Sequence, residues 1–369
     1  MIRILHIVPN LSVEAGMLSV VMNYYRQIDK TKINFDFWYL SDENAAYKEE
    51  IESLGGRAFY MPYRTFSFSD QKNIRDFFQS HKGEYTAVHC HPIWSSAVIS
   101  KEAKKSGIRH IIQHVHSTKY SEKKLSAVRN YVLMRFVRFF ASDYIACNEE
   151  AEALFGKKIC KSGKVFILRN AVDLQKYAYD SSLGKAFREE YGIARETLVV
   201  GNVGRLSPEK NQLFLIDVFR ELLKLEQDSK LIITGDGAVK SALEQAIIKN
   251  DLTGKVILTG RRSDINAVLS SFDVFLLPSF FEGTPVCAVE ALANGLGCIV
   301  SDTVTKSIGK SKVEYLSLAS SPLEWAKEAV RSAVSNRGRP RQASEELYKN
   351  GFDIKSEAFG LSEYYIRLE

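Results

Sequence analysis

The sequence predicts an α/β protein built from two parallel sheets, and three observations carry that expectation. Short apolar runs alternate with helix-periodic segments from end to end, the pattern of a parallel sheet covered on both faces. The chain has 369 residues, 45% apolar and 11% aromatic, enough material for two cores. The alternation is interrupted near its middle, where Arg169-Asn170-Ala171-Val172-Asp173 closes one set of strands before a polar stretch reaching Tyr179. The expected domains are therefore 1–175 and 176–352, followed by a C-terminal helix over about 353–369.

In the first half the expected strands are Ile2–Val8, Phe35–Leu40, Arg57–Tyr60, Ala87–Cys90, His110–His114, Tyr144–Cys147 and Val165–Leu168. In the second half they are Thr197–Val203, Lys230–Thr234, Val256–Leu258, Val274–Leu277 and Cys298–Ser301. Each second-half run is followed by Gly, Pro or Ser and then by a helical pattern, as strand–turn–helix units require. The last segment, Phe352–Glu369, reads as an amphipathic helix with Phe359, Leu361, Tyr365, Ile366 and Leu368 on its apolar side.

Composition removes several classes of function. No run approaches the ~18 apolar residues of a membrane span. The opening Met1-Ile2-Arg3-Ile4-Leu5-His6-Ile7-Val8-Pro9 is too short for a signal peptide and reads as a first strand. Five scattered cysteines (Cys90, Cys147, Cys160, Cys287, Cys298) without a C-x-x-C imply buried, reduced thiols in a cytoplasmic protein. Histidines and cysteines show no zinc spacing along the chain, and no Asp-x-Asp pair offers itself to a divalent cation, so no metal is expected. Residues 1–175 carry 25 Lys+Arg against 18 Asp+Glu, a net of +7; the remaining 25 against 26 give −1 and the chain total of +6. The basic excess thus belongs to the first half, which suits an anionic acceptor or membrane surface there. No nucleic-acid reader motif accompanies it, and no nucleic-acid partner is expected.

The most informative stretch is Pro278-Ser279-Phe280-Phe281-Glu282-Gly283-Thr284-Pro285-Val286-Cys287-Ala288-Val289-Glu290-Ala291. It follows a buried strand, turns through Glu282–Pro285 and enters a helix, with Pro285 suited to the first helical turn. One carboxylate stands on the loop and the other in the helix. Between them lie Gly283 and the unpaired N–H groups of a helix start, which favour phosphate. The layout suits a sugar nucleotide, with one acid near the sugar and the other on ribose hydroxyls.

This string resembles the E-x7-E signature of retaining glycosyltransferases of family 4, with closest likeness to bacterial capsule and exopolysaccharide transferases. The resemblance implies two Rossmann-like domains facing across a cleft (the GT-B architecture), with the C-terminal helix crossing back to the first domain. It assigns Glu282, Gly283, Thr284, Pro285, Val286 and Glu290 to the donor. Gly201-Asn202-Val203-Gly204-Arg205-Leu206-Ser207-Pro208-Glu209-Lys210-Asn211 is similar to the family's G-R-x-x-x-x-K-N segment, which places Gly204, Arg205 and Lys210 at the nucleotide diphosphate. Two fixed cations there stabilise the charge that grows on a leaving UDP. Gly235-Asp236-Gly237 follows a strand and lacks the third glycine of a dinucleotide fingerprint. The resemblance puts Gly235 and Gly237 near the nucleotide, and Arg261, in Thr259-Gly260-Arg261, under the uracil.

On the acceptor side, the family carries a strand-end histidine facing the donor sugar. His116 fits that position in Gln113-His114-Val115-His116, and His114 is the second choice. His89 and His91 form another strand-end pair, open to either acceptor contact or ordinary loop chemistry. The family's Gly-Gly loop is represented by Ala15-Gly16, with Leu18 where a Glu is usual; Gly16 still permits close approach to donor phosphate, while a carboxylate is lost. Thr118–Phe140 joins Lys119, Lys123, Lys124, Arg129, Arg135 and Arg138 to Leu125, Tyr131, Val132, Phe136, Val137, Phe139 and Phe140. It reads as a basic amphipathic helix on an anionic membrane, or as a core helix with a solvated basic edge.

The function the resemblance implies is transfer of a hexose or N-acetylhexosamine from a UDP-sugar to a saccharide or lipid-linked oligosaccharide, at the cytoplasmic face of the plasma membrane and without a cofactor. Two other readings stay open. One is a non-catalytic sugar-nucleotide-binding partner of an active transferase; the other is a UDP-sugar epimerase of the same architecture.

Overall fold

In the second half Gly, Pro and Ser end each apolar run before it can lengthen, and throughout the chain the short runs pair side by side. A computed structural model describes residues 1–12, 16–41, 45–63, 68–121, 124–309, 311–335 and 345–369. Among them thirteen strands form two sheets, parallel throughout. The first holds β1 (Ile2–Val8), β2 (Ile33–Tyr39), β3 (Ala58–Tyr60), β4 (Ala87–Cys90), β5 (His110–Val115), β6 (Asp143–Ala146) and β7 (Val165–Ile167), in the order 3-2-1-4-5-6-7. The second holds β8 (Leu198–Val203), β9 (Ser229–Thr234), β10 (Val256–Gly260), β11 (Val274–Leu277), β12 (Gly297–Ser301) and β13 (Val313–Leu316), in the order 10-9-8-11-12-13. The α/β fold with two Rossmann-like sheets is therefore as expected. β13 was not anticipated, because Val313-Glu314-Tyr315-Leu316 is a short edge strand with a charge in its middle.

The chain forms two compact units, Met1–Ala171 with Ile354–Glu369, and Val172–Asp353. In the first unit, Leu5, Ile7, Trp38, Val88, Cys90 and Ile111 project from one sheet face into a core completed by Phe77, Phe78 and Ile99. The opposite face is capped by helix Gly16–Gln27 and by the C-terminal helix Ile354–Ile366. That helix buries Ile354, Ala358, Leu361 and Tyr365, an i, i+4, i+7, i+11 stripe. Phe359 (69% exposed) and Ile366 fall outside it, which corrects their expected place on the apolar side.

Asp36 breaks the apolar run of β2 yet is fully buried. Arg3 and Arg57 pair with it at 2.7 and 2.6 Å, and the Tyr85 hydroxyl donates to it at 3.0 Å. A buried carboxylate satisfied on this scale is tolerated; removing one partner would leave an uncompensated charge.

The second unit packs two cores, one around Phe187, Phe272 and Phe275 and one around Phe219, Leu222 and Trp325. Each such buried side chain contributes roughly 1.5–3 kcal/mol. Cys90, Cys147 and Cys298 are buried free thiols, whereas Cys160 and Cys287 are only partly covered, a departure from uniform burial. Among the described residues no helix is long and apolar enough to cross a membrane.

Candidate functional site

The second sheet reverses its strand order between β8 and β11. In open α/β sheets, ligands bind outside the carboxyl ends of the strands at such a reversal. Two loops leave it, Gly204–Asn211 after β8 and Pro278–Pro285 after β11. The Phe280 N–H donates to the Glu209 carbonyl at 2.8 Å and ties them together. Lys210 ends the 3-10 turn Pro208–Lys210, and Asn211, at φ 54°, redirects the chain into helix Gln212–Leu225.

Lys210 Nζ donates to Glu282 Oε1 at 2.6 Å, and the Ser279 hydroxyl donates to the same oxygen at 2.9 Å. Both charged side chains are largely covered, at 17% and 15% exposure. Burial alone would lower the lysine pKa; the adjacent Glu282 charge outweighs it and holds the ammonium above its usual range. Arg205 is half-exposed and donates to Glu209 Oε1 at 2.7 Å.

Gly235 and Gly237 have φ of 140° and 153°. A Cβ on Gly235 would sit 2.0 Å from the Gly204 carbonyl oxygen, and one on Gly237 would sit 2.3 Å from that of Leu206. Their bare backbones let the turn after β9 press against the loop that carries Arg205. The Gly204 and Leu206 N–H groups donate to Thr234 and Asp236 carbonyls at 3.0 and 2.9 Å. These glycines thus have a packing role that the motif alone did not reveal. Arg261, 3.6 Å from Asp236, is about half-exposed. Its neighbour Arg262 is held by Glu190 and Asp264 and lies over the Phe187 ring.

Pro285 is the N-cap of helix Val286–Ala293, one position before the first-turn place expected for it. Thr284 is buried, and Gly283 and Val286 are partly so. Glu290, partly covered one turn into the helix, is pushed by burial up to about 7, against the opposing effects of the Tyr177 hydroxyl and the Lys176 charge. The Cys287 thiol is raised by burial to about 11 and lies within the influence of Lys210, Glu282 and Glu290. One thiol therefore reports that these three expected residues share a neighbourhood. Ser279, Glu209, Asp236 and Tyr177 complete the surroundings and were not anticipated. Adjacency to the motifs could have signalled the first three; nothing local marks Tyr177.

The first unit holds a second cluster. β1, β4 and β5 are neighbours, with His6 opposite His89 and His89 opposite Ile112. Side chains alternate along strands, so His6, His89, His91, His114 and His116 all lie on one sheet face. His6 Nδ1 is 3.0 Å from His91 Nε2, and His91 Nδ1 is 2.7 Å from His116 Nε2. His89 Nε2 is 3.1 Å from His114 Nδ1, and His89 Nδ1 meets the Tyr365 hydroxyl at 2.7 Å. Burial lowers the pKa of all five, that of His116 to about 3, so all are neutral imidazoles near pH 7. His89 and His114 are 1% exposed and His91 is buried, each with its ring against other members of the cluster. His116 is the member of this set that is only partly covered. His6 was missed because it stands alone in its strand.

Gly16 opens helix Gly16–Gln27 at an exposed position with open space where a side chain would begin. Ala15 lies outside the described residues. Leu18 is fully buried, a core position where the family usually has a carboxylate. The basic helix spans Lys124–Val137, shorter than the expected Thr118–Phe140, and Lys123 lies outside the described residues. It buries Met134 and Val137, while Leu125 (87% exposed), Val128, Val132, Phe136 and Phe139 (71%) form an outward stripe at helical spacing. Met134 and Val137 thus pack into the core, while the rest of the apolar side faces outward.

A family model for glycosyl transferases group 1 matches residues 185–350. EpsF of Bacillus subtilis (strain 168), named as a glycosyltransferase, is 31% identical over 98% of this chain and 96% of its own length. A UDP-Gal:alpha-D-GlcNAc-diphosphoundecaprenol alpha-1,3-galactosyltransferase of Escherichia coli is 30% identical over 67% of this chain and 66% of its own. The capsular polysaccharide biosynthesis glycosyltransferase CapH of Staphylococcus aureus is 24% identical over 99% of both chains. Among solved structures, HepE of Anabaena in complex with UDP-glucose aligns at TM-score 0.74 and 18% identity, over 100% of this chain and 97% of that one. Sucrose-phosphate synthase of Thermosynechococcus elongatus aligns at 0.80 and 17%, over 100% and 99%. These structural likenesses show a shared GT-B fold. The sequence likeness across nearly the whole chain shows more: the protein belongs to the group 1 glycosyl transferases.

Proposed function

We propose that the protein is a retaining transferase moving a hexose or N-acetylhexosamine from a UDP-sugar to a lipid-linked glycan in capsule or exopolysaccharide synthesis. The observation that carries the reading is the Lys210–Glu282 pair at the strand-order reversal of the second unit. Support also comes from a relative named for a UDP-galactose donor and a diphosphoundecaprenol-linked acceptor, and from a structural neighbour holding UDP-glucose.

In the proposed reaction the acceptor hydroxyl attacks the anomeric carbon from the face that UDP leaves. The bond from that carbon to the diphosphate oxygen breaks, its electron pair goes to UDP, and the hydroxyl proton passes to the departing phosphate. Arg205 and Lys210 meet the charge that develops on the diphosphate, in place of a metal ion. Helix Val286–Ala293 directs its first-turn N–H groups toward the same anion. Glu290 takes the ribose hydroxyls, Glu282 orients the donor sugar, and His116 holds a sugar hydroxyl as a neutral imidazole. The exposed apolar stripe of Lys124–Val137, flanked by the exposed Arg129 and Arg135, would seat the protein on the anionic inner face of the plasma membrane.

The test is incubation with a UDP-sugar panel and a polyprenyl-diphosphate-linked acceptor, following UDP release and the anomeric configuration of the product. Release that depends on acceptor, with retained configuration, is expected. Interconversion of the UDP-sugar without acceptor would mean an epimerase. Binding without turnover would mean the non-catalytic partner, the reading that the buried Leu18 favours.

A further inference from the structure

At the amino ends of β6 and β7, the edge of the first sheet opposite His114 and His116, lies an open cavity of about 600 Å³. Helix Lys124–Val137 and its exit bring Arg135, Arg138 and Phe139 to it, and the approach to β6 brings Ser142. The segment between Gly156 and β7 adds Lys158 and Lys164. Four cations thus line the cavity and no acid does. Asp143 and Glu152, the acids of this neighbourhood, stand outside the lining, and Asp143 is already taken by His110 and the Ser142 hydroxyl at 3.2 and 2.5 Å.

A cation that is partly withdrawn from water normally finds a carboxylate or carbonyl partner. Arg138 finds none: its Nε is buried without a partner, and among the described residues its guanidinium makes no hydrogen bond or ion pair. Packing positions it instead. Gly156 lies beneath the guanidinium at φ 81°, and a Cβ there would sit 2.9 Å from Nη2. Arg135, Lys158 and Lys164 pair with no acid among the described residues either. A helix C-terminus attracts cations through its dipole, which accounts for Arg135 and Arg138 at most. The Phe139 carbonyl at that end is met by Lys104, at 3.4 Å. Lys158 and Lys164 come from a separate segment and converge on the same space, so the gathered charge is complementary to an anion.

We propose that this cavity binds the phosphate headgroup of an anionic membrane lipid, with preference for a doubly charged phosphate monoester. A guanidinium fork matches two phosphate oxygens at once, and three further cations suit a second charge. The volume is that of a small-ligand pocket, with room for the group that joins the phosphate to its chains. Phe139 identifies a lipid as the source. It lines the cavity and also ends the outward apolar stripe, so a headgroup held here leaves its chains beside Val132 and Phe136. The inference rests on the membrane seating proposed above, and it uses neither His116 nor any residue of the donor loops.

The test mixes the full chain with two sets of phosphatidylcholine vesicles, one containing phosphatidate and one containing enough phosphatidylglycerol to match its surface charge. Sedimentation should show binding at least about tenfold tighter to phosphatidate, a difference of ~1.4 kcal/mol. Lys158 and Lys164 are exposed, so Lys158→Gln combined with Lys164→Gln should abolish that preference in a folded chain. Lys72→Gln with Lys82→Gln removes the same charge from exposed positions elsewhere in the first unit and should preserve it. Equal binding to both vesicle sets, or a preference that survives the Lys158/Lys164 changes, would overturn the site and leave the membrane seating standing. Absence of binding to either set would remove the seating and the site together. Titration with glycerol 3-phosphate in the absence of vesicles separates the sources: saturation at concentrations as low as those of phosphatidate would give the cavity to soluble phosphate esters and refute the lipid.

Discussion

Lys210 and Glu282 stand 72 residues apart in sequence and 2.6 Å apart in space, joining the loop after β8 to the loop after β11. A lysine has three N–H donors, and Glu282 takes one. The carboxylate therefore fixes the cation in place and keeps it charged while leaving donors for phosphate oxygens. A charge held ready in this way needs little rearrangement when an anion develops beside it.

Replacing Lys210 with Met should lower turnover by at least about tenfold, the equivalent of ~1.4 kcal/mol of transition-state stabilisation. The substitution also leaves Glu282 covered without its partner, so the second unit should lose stability. Steady-state kinetics and chemical denaturation on one preparation would read both effects; wild-type turnover would remove Lys210 from the diphosphate.

Glu290 predicts a pH dependence with a definite sign. Its folded carboxyl keeps a proton up to about 7, whereas the ordinary value is 4.5. The folded state therefore binds more protons across that window, and this contribution to stability is full below it and lost as pH rises through about 7. Glu290→Gln should flatten the fall. The difference in melting temperature between wild type and variant, followed from about pH 5 to 8, checks it.

The histidine cluster acts in the opposite direction on the first unit. Unfolded imidazoles take up protons as pH drops through about 6.5, while the five buried ones resist until well below it. Stability should be intact above that pH and fall below it by up to about 1.4 kcal/mol per pH unit for each histidine. Denaturation of the first unit at successive pH values reads the slope; a flat profile down to about pH 5 contradicts the account.

Gly237→Ala should disturb the donor loop without touching a charge. Its Cβ would overlap the Leu206 carbonyl, so the segment bearing Arg205 must shift. UDP affinity should drop and the melting temperature should fall as well, because the new Cβ meets backbone at a positive φ; calorimetry and thermal unfolding read the two effects.

The outward stripe of helix Lys124–Val137 predicts binding to vesicles. Paired Val132→Ser and Phe136→Ser changes should release the protein from anionic liposomes in a flotation assay, and raised salt should weaken what remains. Retention of both variants would assign the stripe elsewhere.

Strand positions were legible because parallel-sheet strands are short, buried on both faces and apolar, as Val274–Leu277 is. β13 escaped because an edge strand carrying Glu314 lacks that signature. Residues of the donor loops were legible as motifs, and Lys210, Glu282 and Glu290 do share one neighbourhood. What local sequence could not show is who partners whom. Leu206 against Gly237 and the gathering of five histidines depend on strand order and register. His89 and His114 stood out in the sequence only as residues at strand ends; their packing beside Tyr365 and against one another follows from strand register.

The central claim is that Lys210 and Arg205, fixed at the β8–β11 reversal, hold a nucleotide diphosphate without a metal ion. Calorimetric titration of UDP into the protein in excess chelator tests it most directly. One equivalent should bind, with affinity at least about tenfold lower in Lys210→Met. Binding that requires added Mg2+ or Mn2+, or that is indifferent to Lys210, would contradict it.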